Sequence, residues 1–266
     1  MRLVRGISAH LSPLTLGAIL AALGSNGLSN VFPPKGLNVG QISRDIFGDV
    51  LITPASYAFA IWGLIYLALI SYGLYQLAPA RRSDPCLQAL NRYVSLASVM
   101  HLAWVWVFTL QGFWLSGVLI LGILIPLLLA YRRLGQDDRS QRLSRSWYWR
   151  VQGPFSLYLG WISVATIVNW ACVLTWHNWQ GWGISPLGWT GVMLLIAGGL
   201  GLLALGRRRD YTFAGVLMWA YGAIALRHGS DLPVLSGGAA FGAIVLGILS
   251  LILYNQEKSQ PSPDKP

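Results

Sequence analysis

The spacing of charged residues constrains this chain more than any other feature. Stretches without Asp, Glu, Lys or Arg cover residues 6–34, 50–80, 93–131, 151–206, 211–226 and 232–256. A helix crosses a hydrocarbon core about 30 Å thick with about 20 apolar residues, and most of these stretches meet or exceed that length. Only 11% of the residues are charged, where a soluble domain carries about 25%. A cytosolic globule and a disordered chain are thereby excluded. The two cysteines, Cys86 and Cys172, are too few and too far apart for a disulfide scaffold. The sequence describes an integral membrane protein.

The longest stretches cannot be single helices. As one straight helix, 93–131 would run about 58 Å, so it must fold back, and Gln111-Gly112 is the turn that the sequence offers. The 151–206 stretch breaks at the polar, Gly- and Pro-bearing segment His177–Gly188. Six stretches thus become about eight spans, near 7–28, 54–78, 92–111, 114–134, 150–176, 188–206, 211–227 and 234–254. The fold class is all-α, a polytopic transmembrane helical bundle. The first span is expected to be retained rather than cleaved, because its apolar run lacks a small-x-small site.

Charge placement supports that count. With eight spans, sixteen of the 19 Lys and Arg residues fall on the side of both termini, and three (Lys35, Arg44 and Arg227) fall on the other. The positive-inside rule then puts both termini in the cytoplasm, with the bacterial inner membrane as the expected location. Topology and attraction to anionic head groups account for the net charge of +10. No soluble basic domain presents it to nucleic acid, so the expected partners are the lipid bilayer and a hydrophobic small molecule.

No charged residue lies in the interior of a span, and HExxH, GxSxG and GxxxxGK[ST] are absent. Ion-coupled pumping, hydrolysis and ATP-driven work lose their usual chemistry. Asp45 and Asp49 are half of a metal site with no further ligands nearby, so no metal is expected. The remaining chemistry is aromatic. Phe59, Trp62 and Tyr66 share one face of the second span, and His101, Trp104, Phe108 and Gln111 share one of the third. Tyr158, Trp161, Ala165, Asn169, Cys172 and Trp176 form a stripe on the fifth. Such rings offer flat apolar surfaces with single polar handles, which suits a planar heterocyclic ligand. Trp147, Trp149, Trp176, Trp179 and Trp182 fall near span ends, where interfacial tryptophans belong.

The stretches PASYAFAIWGLIY, HLAWVWVF and LYLGWISVATIVN resemble successive signatures of the tryptophan-rich sensory protein family, also called the translocator-protein or TspO/MBR family. Pro54, Phe59, Trp62 and Tyr66 match the first signature. Trp104 and Phe108 match the second, and Tyr158, Trp161, Ala165 and Asn169 match the third. The resemblance spans roughly 7–178 and implies a five-helix module, residues 1–178, that binds porphyrins or other planar ligands between helices. It further implies pocket roles for Trp62, Trp104, Tyr158, Trp161 and Ala165. Residues 179–256 are expected as a three-helix addition without a counterpart in that module, and 257–266 as a disordered cytoplasmic tail.

Departures from the family pattern are specific. His101 stands where the family has asparagine, Leu157 replaces a proline, and the 29–53 connection is longer and more polar. At about 25 residues that connection is long enough to cover the aromatic faces; an ordinary ordered surface loop is the alternative. His101, the one imidazole deep in a span, could ligate haem iron or simply bond a neighbouring polar group. Gly238 and Gly242 form a GxxxG that suits close packing within the chain or a homodimer. The function expected is binding of a planar hydrophobic ligand, a porphyrin or other tetrapyrrole including haem, for sensing, regulation or ligand handling. No cofactor is required. Facilitated transport of hydrophobic molecules and a tetrapyrrole-degrading activity are the alternatives.

Overall fold

The computed structural model describes residues 2–136, 144–229 and 231–259. Nine helices and no strands are formed among them. The chain divides into two compact units, Met1–Val50 with Phe59–Trp179, and Leu51–Ala58 with Gln180–Pro266.

The first unit holds α1 (Arg2–Val31), α2 (Val39–Asp45), α3 (Ile61–Gln76), α4 (Pro85–Thr109), α5 (Phe113–Gln136) and α6 (Arg145–Trp176). Local chemistry sets the boundaries. Asp84 precedes α4 and accepts from the backbone amides of Cys86 at 2.8 Å and Leu87 at 3.2 Å, with Pro85 at the first helical position. The fold-back after α4 falls at Gln111-Gly112, as the length argument requires. There Gln111 takes a left-handed conformation, φ 63°, and Gly112 continues the turn. Helices α4 and α5 pack together, α1 packs on α3 and α4, and α6 packs on α3 and α5. Helix α6 is the centre of the unit: 78% of its apolar stretch is buried.

A buried polar network fixes α1, α3 and α4 in register. The Tyr72 hydroxyl donates to Asn91 Oδ1 at 2.6 Å, Asn91 Nδ2 donates to Gln76 Oε1 at 2.9 Å, and Gln76 Nε2 donates to the Ser12 carbonyl at 2.8 Å. Every member finds a partner, as burial of amides in an apolar setting demands. The aromatic patterning carries no trace of this network.

The connection expected at 29–53 is a folded segment. Residues 29–31 belong to α1, and α2 opens with a reciprocal cap in which Gln41 N donates to Asn38 Oδ1 and Asn38 N to Gln41 Oε1. Phe47, 2% exposed, is buried beyond α2. On the exposed surface, Arg44 Nε donates to Asp45 Oδ1 at 2.6 Å. That bond holds the Asp45 carboxyl below its ordinary range and the Arg44 guanidinium above its own.

The second unit holds α7 (Pro186–Arg208), α8 (Tyr211–His228) and α9 (Pro233–Ser259). Its helices meet through glycine. A side chain at Gly242 would meet the Tyr221 ring at 2.5 Å, and one at Gly201 would meet Leu217 at 2.8 Å. Gly238, the other half of the GxxxG, faces open space. The Tyr221 hydroxyl donates to the Leu194 carbonyl, tying α8 to α7. The strap Leu51–Ala58 belongs here by its bonds. His228 Nε2 donates to the Leu51 carbonyl and Arg227 Nη1 to that of Thr53, each at 2.7 Å, while Trp219 Nε1 donates to that of Ala58 at 3.0 Å. The Ala55 amide donates to the Ala223 carbonyl at 3.2 Å. A division drawn at 178/179 on sequence does not foresee that exchange.

Eight of the helices correspond to the eight sequence spans, and six of these are long and apolar enough to cross a membrane by length and composition. The two outside that six are α4 and α8. Inward polar residues Asn91, Ser98 and His101 dilute α4, and α8 has 18 residues ending in Arg227-His228. Of the tail expected from 257, residues 257–259 instead extend α9, because the apolar helix carries its last turn past Glu257; 260–266 lie outside the described residues. The fold is that of a polytopic helical membrane protein.

Candidate functional site

Three elements of the first unit bring the aromatic residues together. Phe59 lies on the short 3₁₀ turn Ser56–Ala60 that leads into α3, and Trp62 and Tyr66 follow one turn apart on α3. His101, Trp104 and Phe108 descend one face of α4, and Tyr158, Trp161, Ala165 and Asn169 one face of α6. The faces converge. Trp161 is 1% exposed, Trp104 5% and Trp62 8%, so none is an interfacial anchor. Trp62 is the hub: its ring centroid lies 4.4 Å from that of His101, 6.1 Å from Tyr158 and 6.4 Å from Trp161, each edge to face. It stacks on Tyr66 at 5.8 Å, and Phe59 meets Trp161 edge-on at 5.8 Å. Trp104 stacks on Phe108 at 5.3 Å.

His101 is the polar centre of this cluster. Its Nε2 lies 3.0 Å from the Tyr66 hydroxyl and its Nδ1 lies 3.4 Å from that of Tyr158. The Tyr66 hydroxyl also faces the Ala22 carbonyl of α1 at 3.4 Å. A neutral imidazole has one donor and one acceptor. Among these groups, one arrangement gives every proton an acceptor: Tyr158 O–H to Nδ1, Nε2–H to the Tyr66 oxygen, and Tyr66 O–H to Ala22. Both ring nitrogens are thereby used inside the protein. Ligation of an iron by His101 would require one tyrosine to leave.

Asn169 is fixed in the same manner. Trp104 Nε1, which can only donate, reaches Asn169 Oδ1 at 2.8 Å, so the amide must turn its nitrogen outward. That Nδ2 donates to Ser116 Oγ of α5 at 3.1 Å, and Ser116 donates to the Phe113 carbonyl at 2.6 Å. The bonds of Asn169 and Trp104 therefore join α4, α5 and α6.

Trp161 differs from the others. Its Nε1 is buried and has no hydrogen-bond partner. The Ser25 hydroxyl of α1, one turn beyond Ala22, is also buried and unpartnered. Leaving such a group unsatisfied costs about 1–3 kcal/mol, and most buried polar groups avoid it. Phe59, which meets the Trp161 ring, and Ala165, one turn further along α6, are only half-buried.

Sequence reasoning missed part of the aromatic ensemble. Phe113 of α5 touches Phe108 at 5.4 Å, Phe47 at 4.8 Å and Trp176 at 4.9 Å, which extends the ring contacts from Phe59 to the segment after α2. Trp176, expected as an interfacial anchor, is 48% exposed yet shares this contact. Phe47 sits in a polar connection with no periodicity, and no signal in the sequence points to it. Ser116 is equally silent. Among the described residues no group of three His, Cys, Asp or Glu side chains is placed to hold a metal ion.

A family model described as TSPO-like protein matches residues 12–252. The match runs past residue 178 through α7, α8 and most of α9, so the three C-terminal helices lie within the matched region rather than beyond it. Comparison with curated proteins and with solved structures gives no match. With nine-tenths of its length inside that match and its three aromatic signatures gathered on α3, α4 and α6, this chain belongs to the TSPO-like family of helical membrane proteins.

Proposed function

We propose that the aromatic cluster binds a planar, hydrophobic, acceptor-bearing ligand of the tetrapyrrole class, and that this binding serves sensing, regulation or ligand handling. One observation carries the reading: Trp161 presents a buried N–H without a partner among ring faces that are otherwise satisfied. A heteroaromatic ligand entering beside Phe59 and Ala165 supplies what is missing, an acceptor for the indole and flat area for stacking. The residues fit such a group through stacking and one donor. Iron ligation by His101 forms no part of the reading, because both imidazole nitrogens have tyrosine partners. Phe59, Trp62 and Trp161 would provide ring contact. Tyr66, Tyr158 and Asn169 act at one remove, by holding His101 and Trp104 in place.

The test is quenching of tryptophan fluorescence by protoporphyrin, haemin and a sterol, on the wild type and Trp161→Phe in detergent. Protoporphyrin is expected to quench saturably. Loss of one hydrogen bond worth about 1.4 kcal/mol raises Kd about tenfold in Trp161→Phe. Absence of saturable quenching by any of the three, or equal Kd in the variant, overturns the reading.

A further inference from the structure

A second site lies at the arginine-rich end of the first unit. The Arg81 guanidinium carbon sits 3.5 Å from the Tyr75 ring centroid and that of Arg150 sits 5.6 Å from the same ring. Arg81 follows α3 on a short 3₁₀ turn, and its Nη1 also reaches the Tyr75 carbonyl at 3.4 Å. Arg150 arrives from α6, on the π-helical turn Tyr148–Gln152. A π turn adds one residue to the helix and so rotates the remainder of that helix by about 100°. Such turns occur frequently at functional sites. Among the described residues, neither arginine forms an ion pair with a carboxylate; the ion pairs there are Arg44–Asp45 and Arg209–Glu257.

Two guanidinium groups gathered on one ring repel each other, and the face of Tyr75 offsets only part of that. An anion between them removes the repulsion and uses the planar donor forks that guanidinium presents to phosphate. The surroundings select the kind of phosphate. Leu74 next to Tyr75 is 58% exposed and Trp149 next to Arg150 is 63% exposed, so apolar surface flanks the cations. An exposed tryptophan beside arginine at a span end is the composition of a bilayer boundary.

We propose that Arg81, Arg150 and Tyr75 form a headgroup site for an anionic phospholipid, with the phosphate held by the two guanidinium groups and the acyl chains lying along Leu74 and Trp149. The site is independent of the aromatic cluster and of its ligand.

Native mass spectrometry of the full chain in detergent tests this, with dioleoyl phosphatidylglycerol, dioleoyl phosphatidylcholine or inorganic phosphate added. Phosphatidylglycerol is expected to bind at least tenfold more tightly than phosphatidylcholine and to resist millimolar phosphate. Arg81→Gln with Arg150→Gln should remove that preference, while Arg92→Gln with Arg132→Gln, an equal loss of charge on the same side, should keep it. Tyr75→Phe should keep it and Tyr75→Leu should weaken it, with helix content unchanged by circular dichroism in each case. Equal binding of the two lipids, or an unchanged preference in the double variant, overturns the proposal. Displacement of phosphatidylglycerol by phosphate alone overturns the lipid assignment in favour of a soluble phosphate compound.

Discussion

Helices α6 and α9 are both long and apolar, with charge only toward one end, yet 78% of the apolar stretch of α6 is buried and only 17% of that of α9. The difference lies in what the two helices carry. Helix α6 brings Tyr158, Trp161 and Asn169, whose polar atoms and large rings need neighbours on several sides. Helix α9 brings Gly242 and Gly247 on one face and Phe241, Ile244, Ile248 and Leu251 on the other, the latter all exposed. In a bilayer an exposed apolar face costs nothing, because lipid tails are as apolar as leucine. Hydropathy therefore identifies a span but not whether protein or lipid surrounds it. Polar atoms inside the span decide that, since each one must find a partner.

Four substitutions would sharpen or break this comparison. The largest effect is expected at Asn169→Leu, which strips the acceptor from Trp104 Nε1 and the donor from Ser116. A cost of about 2–3 kcal/mol follows from orphaning a buried donor, visible as a lower unfolding midpoint in detergent. An unchanged midpoint would mean that polar bonds do not hold the first unit. In the second unit the two glycines of one GxxxG should respond in opposite directions. Gly242→Ala pushes a methyl group into the Tyr221 ring and should destabilise by about 1–2 kcal/mol. Gly238→Ala meets nothing within 4 Å and should stabilise by up to about 1 kcal/mol through helix propensity. Equal responses would remove close packing as the role of Gly242.

The smallest effect belongs to the exposed pair Arg44–Asp45. Because Arg44 lowers the Asp45 pKa in the folded protein, the pair stabilises above the ordinary carboxylate range and stops doing so as pH falls below that range, through the lowered value of the folded state. Asp45→Asn should differ from the wild type only slightly at pH 7, and the difference should vanish in acid; a large difference would assign the segment after α1 a structural weight that its exposure does not suggest.

Legibility followed the kind of signal. The fold-back at Gln111, the polar break after α6 and the aromatic stripes were open to sequence reading, because each rests on local length, turn chemistry or helical period. The Tyr66–His101–Tyr158 chain was half legible: the residues were visible, but their mutual bonds were not, since hydrogen bonds between helices leave no period in the sequence. Phe47, Ser116 and the strap Leu51–Ala58 were not legible at all. They act through contacts distant in the chain, and their neighbours give no hint of burial.

By itself, the sequence determined that the chain enters the membrane, where its eight long helices lie and which faces are aromatic, because hydrophobic length and helical periodicity are properties of each segment alone. Only the tertiary structure decided that Trp62 meets Trp161 and that Trp62 and Trp104 both meet His101, that both nitrogens of His101 are spent on tyrosines, and that Trp161 keeps a proton with no acceptor. Those outcomes depend on which helices become neighbours, and in an apolar solvent neighbours are chosen by the fit of rings and the pairing of a few polar atoms, not by hydrophobicity.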